Sequence, residues 1–113
     1  MQISNNYQPN FRAGKVDANG LKVLSSRLPK EQFQKFVDRF KSRHSDPEYS
    51  IVLGEGARIK NGLDAMIMYG KKHFRYIEEG VLSSWLNPKV FMNKINRQID
   101  KDIISIAKDG HIS

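Results

Sequence analysis

At 113 residues the chain is long enough for one domain and too short for two ordinary ones. It contains no cysteine, which excludes disulfides, thiolate catalysis and every cysteine-based metal or iron–sulfur site. Nineteen Lys and Arg against twelve Asp and Glu leave a formal charge of +7, which favours nucleic acid, a phospholipid surface or an acidic protein as partner unless it serves solubility alone.

No apolar run approaches the length of a membrane span, so no integral membrane association is expected. The N-terminus lacks the basic start and apolar core of a cleaved secretory signal. A cytoplasmic location is expected, with export without a classical signal peptide as the alternative.

Residues 1–20 are rich in Asn, Gln and Gly, with Tyr7, Phe11 and Val16 as scattered apolar points. They read as a flexible polar tail; a recognition segment or an uncleaved export signal is the rival reading. A single domain is expected over 21–110, followed by a disordered end over 111–113. The aromatic residues fall mostly after residue 32, which argues against global disorder.

Leu21 to Ser25 reads as a short strand or as the approach to a first helix. Leu28-Pro29-Lys30-Glu31 is a helix start, with Pro29 in the first turn and Glu31 near the positive end. Phe33, Phe36, Val37 and Phe40 then recur at i, i+3, i+4 and i+7, the spacing of a buried helix face, while Lys35, Arg39 and Arg43 line the far side. Pro47 ends this helix by forcing its predecessor out of helical angles.

Tyr49 to Leu53 is β-branched and aromatic, a strand, and Gly54-Glu55-Gly56 reads as a turn or bulge after it. Asn61-Gly62 marks a tight turn. The runs Leu63–Tyr69 and His73–Ile77 both alternate and are separated by Gly70-Lys71-Lys72, so they form a hairpin. Val81 to Leu86 reads as a short helical turn that brings Trp85 against the last helix.

That last helix, Asn87 to Lys108, has Pro88 at its start and Gly110 just beyond its end. At about 100° per residue Phe91, Met92, Ile95, Ile99, Ile103 and Ile106 share one arc, and Lys94, Arg97, Lys101 and Lys108 lie roughly opposite. The fold class is therefore α+β: a small antiparallel sheet of two to three strands packed against two amphipathic helices.

The residues that carry chemistry are sparse. His44, His73 and His111 fall in three different segments, without the short spacing of a metal site, so no metal is expected. Gly54-Glu55-Gly56 has no P-loop Lys and Ser or Thr after it, and no nucleotide cofactor is expected. The run 71–76 does hold acid–base types: with His73 and Arg75 on one strand face and Glu55 approaching from a neighbour, it suits a small metal-independent RNase-like enzyme.

Three readings follow. The first is a non-catalytic binding protein contacting RNA or DNA phosphates through Lys35, Arg39, Arg43, Lys71, Lys72, Arg75, Lys94, Arg97 and Lys101, with Phe74 and Tyr76 as stacking groups. The second is a protein-interaction module, effector or inhibitor, meeting an acidic protein or a second copy as a homodimer through Met66, Met68 and Ile104. The third is the RNase-like enzyme, with catalysis at His73, Arg75 and Glu55. Small basic bacterial or phage proteins share only this size and charge, which carries no function across.

Overall fold

The computed structural model describes residues 14–45 and 48–112. Eight elements follow in chain order: β1 (Gly14–Val16), α1 (Ala18–Arg27), α2 (Lys30–Arg43), β2 (Ser50–Glu55), β3 (Leu63–Tyr69), β4 (His73–Glu78), α3 (Val81–Ser84) and α4 (Lys89–Asp109). The class is α+β as expected, but the sheet has four strands in the order β1-β2-β3-β4, and it is mixed. β1 runs parallel to β2, whereas β2, β3 and β4 form an antiparallel meander. A parallel pair needs a long crossover, which α1 and α2 supply.

β1 and the start of α1 lie inside the segment expected to be tail. Three local causes explain this. Val16 is buried, Asp17 N–H donates to Leu53 O at 3.0 Å, and Asp17 Oδ1 caps α1 by accepting from Gly20 N–H at 2.7 Å. Gly20 also lets α1 approach the sheet, since a Cβ there would sit 2.6 Å from Leu53 O. Leu21–Ser25 is thus helical. The tail reading of residues 1–13 lies outside the described residues.

The hairpin and its faces are as the alternation predicts. Leu63, Ala65, Ile67 and Tyr69 are buried, and β3 pairs β4 with Tyr69 opposite His73. Gly54 belongs to β2 instead of a turn: it faces Asp64, and its missing side chain leaves room for the carboxylates of Asp17 and Asp64. α2 buries Phe36, Val37 and Phe40, and α4 buries Phe91, Ile95 and Ile99, with Met92, Ile103 and Ile106 partly covered. Gly110 closes α4 in the left-handed conformation, φ 80°. The His111 carbonyl accepts from Ser105 Oγ at 2.6 Å.

Trp85 does not pack on α4. It is 85% exposed, and Leu82 is 83% exposed. The cause is Arg27 at the end of α1, whose Nη2 donates to the carbonyls of Ser83 and Leu86. These bonds hold the backbone of the α3 turn inward and leave its large side chains outside.

The helices cover one face of the sheet. On the other, Val52, Met66 and Tyr76 form one cross-strand row and Ser50, Met68 and Phe74 the next, and the Met and aromatic members of both are exposed.

Candidate functional site

A groove of about 550 Å³ lies between α2 and α4. That is within the size range of small-ligand sites, roughly 300–1,000 Å³. One wall is the row Lys35, Arg39 and Arg43, spaced by four residues and so rising about 6 Å at each step along the axis of α2. Lys89, Asn87, Asn93 and Asn96 line the α4 side, and Leu28, Phe36, Phe40 and Met92 form an apolar base. The local cause is the wheel of α2: burying Phe36, Val37 and Phe40 turns the Lys35–Arg39–Arg43 edge toward the neighbouring helix.

The electrostatics of the groove are one-sided. The ion pairs Arg27–Glu79 and Arg75–Asp102 leave Lys35, Arg39, Arg43 and Lys89 without an ion-pair partner among the described residues. Among the described residues no carboxylate lines the groove. Asn96 Oδ1 is buried and has no hydrogen-bond partner among the described residues, an acceptor that in most folded proteins would be satisfied.

Beside the groove, His44 ends α2 with no exposure. Its Nδ1 lies 2.9 Å from Tyr49 Oη, and its ring packs at a tilt of 56° against that of Phe40, with centroids 4.9 Å apart. Burial, helped by the nearby Arg43 charge, lowers its pKa to about 4, so the ring is neutral near pH 7. It is a core residue and not a cation of the groove.

The remaining sequence-predicted positions disperse. Lys71 and Lys72 are exposed in the β3–β4 turn. Lys94, Arg97 and Lys101 are exposed on α4 but do not line the groove. Arg75 is engaged bidentately by Asp102, with Nε–Oδ2 at 3.0 Å and Nη2–Oδ1 at 2.8 Å. Tyr69 Oη and Gln98 Nε2 donate to the same carboxylate. Burial pushes the Asp102 carboxyl up, but these bonds outweigh it and hold its pKa below the usual value.

His73 and Glu55 are far apart. Glu55 pairs with Leu63 and His73 with Tyr69, at opposite ends of β3, a separation of about 20 Å along the strand. The three acid–base candidates are therefore not assembled around one point. Among the described residues there is no group of three or more His, Asp or Glu arranged to hold a metal ion.

Met66 and Met68 lie on the open sheet face with Phe74 and Tyr76, whereas Ile104 is exposed on α4, so these apolar candidates form two surfaces. One end of the open face is acidic. Asp64 and Glu78 are cross-strand neighbours, and Asp17 reaches over Gly54 toward Asp64. Partial burial, together with those neighbouring carboxylates, raises the Asp64 pKa against the opposing bond from Tyr76 Oη at 2.7 Å.

Sequence reasoning found the α2 row but missed its partners. Lys89 and the three asparagines carry no signal in isolation, and the buried pairs of Asp102 and Glu79 join segments far apart in the chain. Against protein-family models, curated proteins and solved structures the chain gives no significant match, and its site is read from its own geometry.

Proposed function

We propose that this protein binds single-stranded nucleic acid in the groove between α2 and α4, as a non-catalytic binding protein. The observation that carries the reading is the row of Lys35, Arg39 and Arg43, without ion-pair partners among the described residues, facing the amides of Asn87, Asn93 and Asn96. Three cations spread over about 12 Å of helix suit a polyanion better than one compact anion. The exposed amides of Asn87 and Asn93 offer donors and acceptors to unpaired base edges.

The open sheet face is less suited to phosphates, because Asp64 and Glu78 stand at one end of it and would repel them. It supports a second reading. Met66, Met68, Phe74 and Tyr76 form an exposed apolar surface of the kind that meets a protein partner, including a second copy.

The two readings separate in a titration of labelled RNA and DNA oligonucleotides at rising salt. Nucleic-acid binding in the groove releases counterions, falls steeply with salt and is weakened by Lys35→Gln with Arg39→Gln. Absence of binding at low salt would leave the open-face reading.

A further inference from the structure

We propose that α3 and the outer face of α4 form a docking surface for an anionic phospholipid bilayer, with Leu82, Trp85 and Leu86 entering the headgroup region and Lys94, Arg97 and Lys101 meeting lipid phosphates. Leu82, Trp85 and Leu86 recur at i, i+3 and i+4, so they share one side of the turn. All three are exposed, as is Val90 in the first turn of α4.

This wedge is held, not frayed. Arg27 binds the carbonyls of Ser83 and Leu86 at 3.0 and 2.8 Å, and Glu79 accepts from Ser83 Oγ at 2.6 Å. The buried Arg27–Glu79 pair thus presents an indole and two leucines to solvent in a defined conformation. An indole flanked by aliphatic side chains is the composition that settles at a membrane–water interface.

Charge decides the partner. Val90, Lys94, Arg97, Lys101, Ile104 and Lys108 fall along one stripe of α4, and all six are exposed. The acidic residues of the helix, Asp100, Asp102 and Asp109, lie about 80° or more from its centre. A stripe of flexible lysines broken by single apolar residues lacks the contiguous apolar centre of a protein interface, where Lys is depleted. It matches a lipid surface, on which lysine stems lie along the boundary with their amines among the phosphates. Nucleic acid would use the cations but leave the wedge in water. The groove lies roughly 110° around α4 from this stripe, so the two surfaces are distinct.

Trp85 is the sole tryptophan, so its emission reports directly on the wedge. The full chain is mixed with vesicles of phosphatidylcholine alone or with one-third phosphatidylglycerol, and emission and co-sedimentation are recorded. The expected result is a blue shift and sedimentation with the anionic vesicles only, quenching by lipids brominated on the acyl chain, and at least a tenfold loss of binding in Leu82→Ser/Leu86→Ser. Lys94→Gln/Arg97→Gln/Lys101→Gln should lose binding similarly, while Lys35→Gln/Arg39→Gln keeps it. All substituted side chains are exposed, and circular dichroism checks that the variants are folded.

No sedimentation with anionic vesicles at low salt overturns the proposal, as does sedimentation without any change in indole emission. A blue shift that grows with protein concentration in the absence of lipid would assign the wedge to a second copy. The same shift with a single-stranded oligonucleotide would assign it to nucleic acid. Either result overturns the lipid assignment.

Discussion

Arg27 and Glu79, fifty-two positions apart in the chain, are joined through both terminal guanidinium nitrogens, at 2.6 and 3.1 Å, with almost no exposure of either side chain. Glu79 also accepts from the Leu63 amide at 3.0 Å, so the pair binds α1, β3 and the α3 turn together. Removing one member of a buried pair strands the other charge, which typically costs about 3–5 kcal/mol. Arg27→Ala is expected to lower stability by about that amount in a urea titration. Arg27→Met with Glu79→Leu should recover much of the loss, because no charge is left buried. Equal losses in the single and double variants would contradict this.

Asp102 should behave as a structural acceptor for Arg75 and Tyr69. Asp102→Ala leaves the Arg75 guanidinium without its two bonds, and with Arg75 partly exposed the expected cost is about 3 kcal/mol. Binding of an oligonucleotide by the folded variant should be unchanged, since neither residue lines the groove. A selective loss of binding at full stability would place Arg75 in the site instead.

What was legible in the chain was what a local period can carry. The arc of Phe91, Ile95 and Ile99, the Phe36–Val37–Phe40 face and the alternation of Leu63 to Tyr69 each state which side is buried. β1 was hidden because Gly14-Lys15-Val16 is too short to show a period. It is a strand by virtue of its pairing with Ile51 to Leu53, thirty-seven positions away. The outward turn of Trp85 was likewise set by Arg27, which no local pattern connects to it. At the groove the α2 cations were visible as a row. That α4 would face them with Lys89 and asparagines, and turn Lys94, Arg97 and Lys101 elsewhere, depends on how the two helices pack.

Acid should weaken the fold before its carboxylates titrate. His44 has a folded pKa of about 4 against an ordinary value of 6.5. Between those values the unfolded chain binds a proton that the folded one excludes. Stability is therefore full above about pH 6.5 and declines as pH falls toward 4. The expected loss is about 2 kcal/mol between pH 7.5 and 5, read from urea midpoints, and His44→Gln should flatten it. An undiminished slope in that variant would show that another group is responsible.

The open sheet face should tolerate polar substitution. Phe74 is 62% exposed, and Met66 and Met68 also face solvent. Changing Met68 and Phe74 to Ser is expected to shift stability by less than about 1 kcal/mol. If this face meets a protein partner or a second copy, the same change removes that association, as read by analytical ultracentrifugation. A large loss of stability would mean that the face is packed in a way the fold does not show.

The most direct test of the groove compares two variants in one salt series. Single-stranded oligonucleotide affinity is measured from low to physiological salt for the native chain, for Lys35→Gln/Arg39→Gln/Arg43→Gln, and for Lys94→Gln/Arg97→Gln/Lys101→Gln. Each phosphate contact on a single strand contributes about −0.7 to the slope of log affinity against log salt. The α2 variant should lose about two units of slope and most of its affinity, while the α4 variant keeps both. Equal effects from the two variants, or no binding by the native chain at low salt, would contradict it.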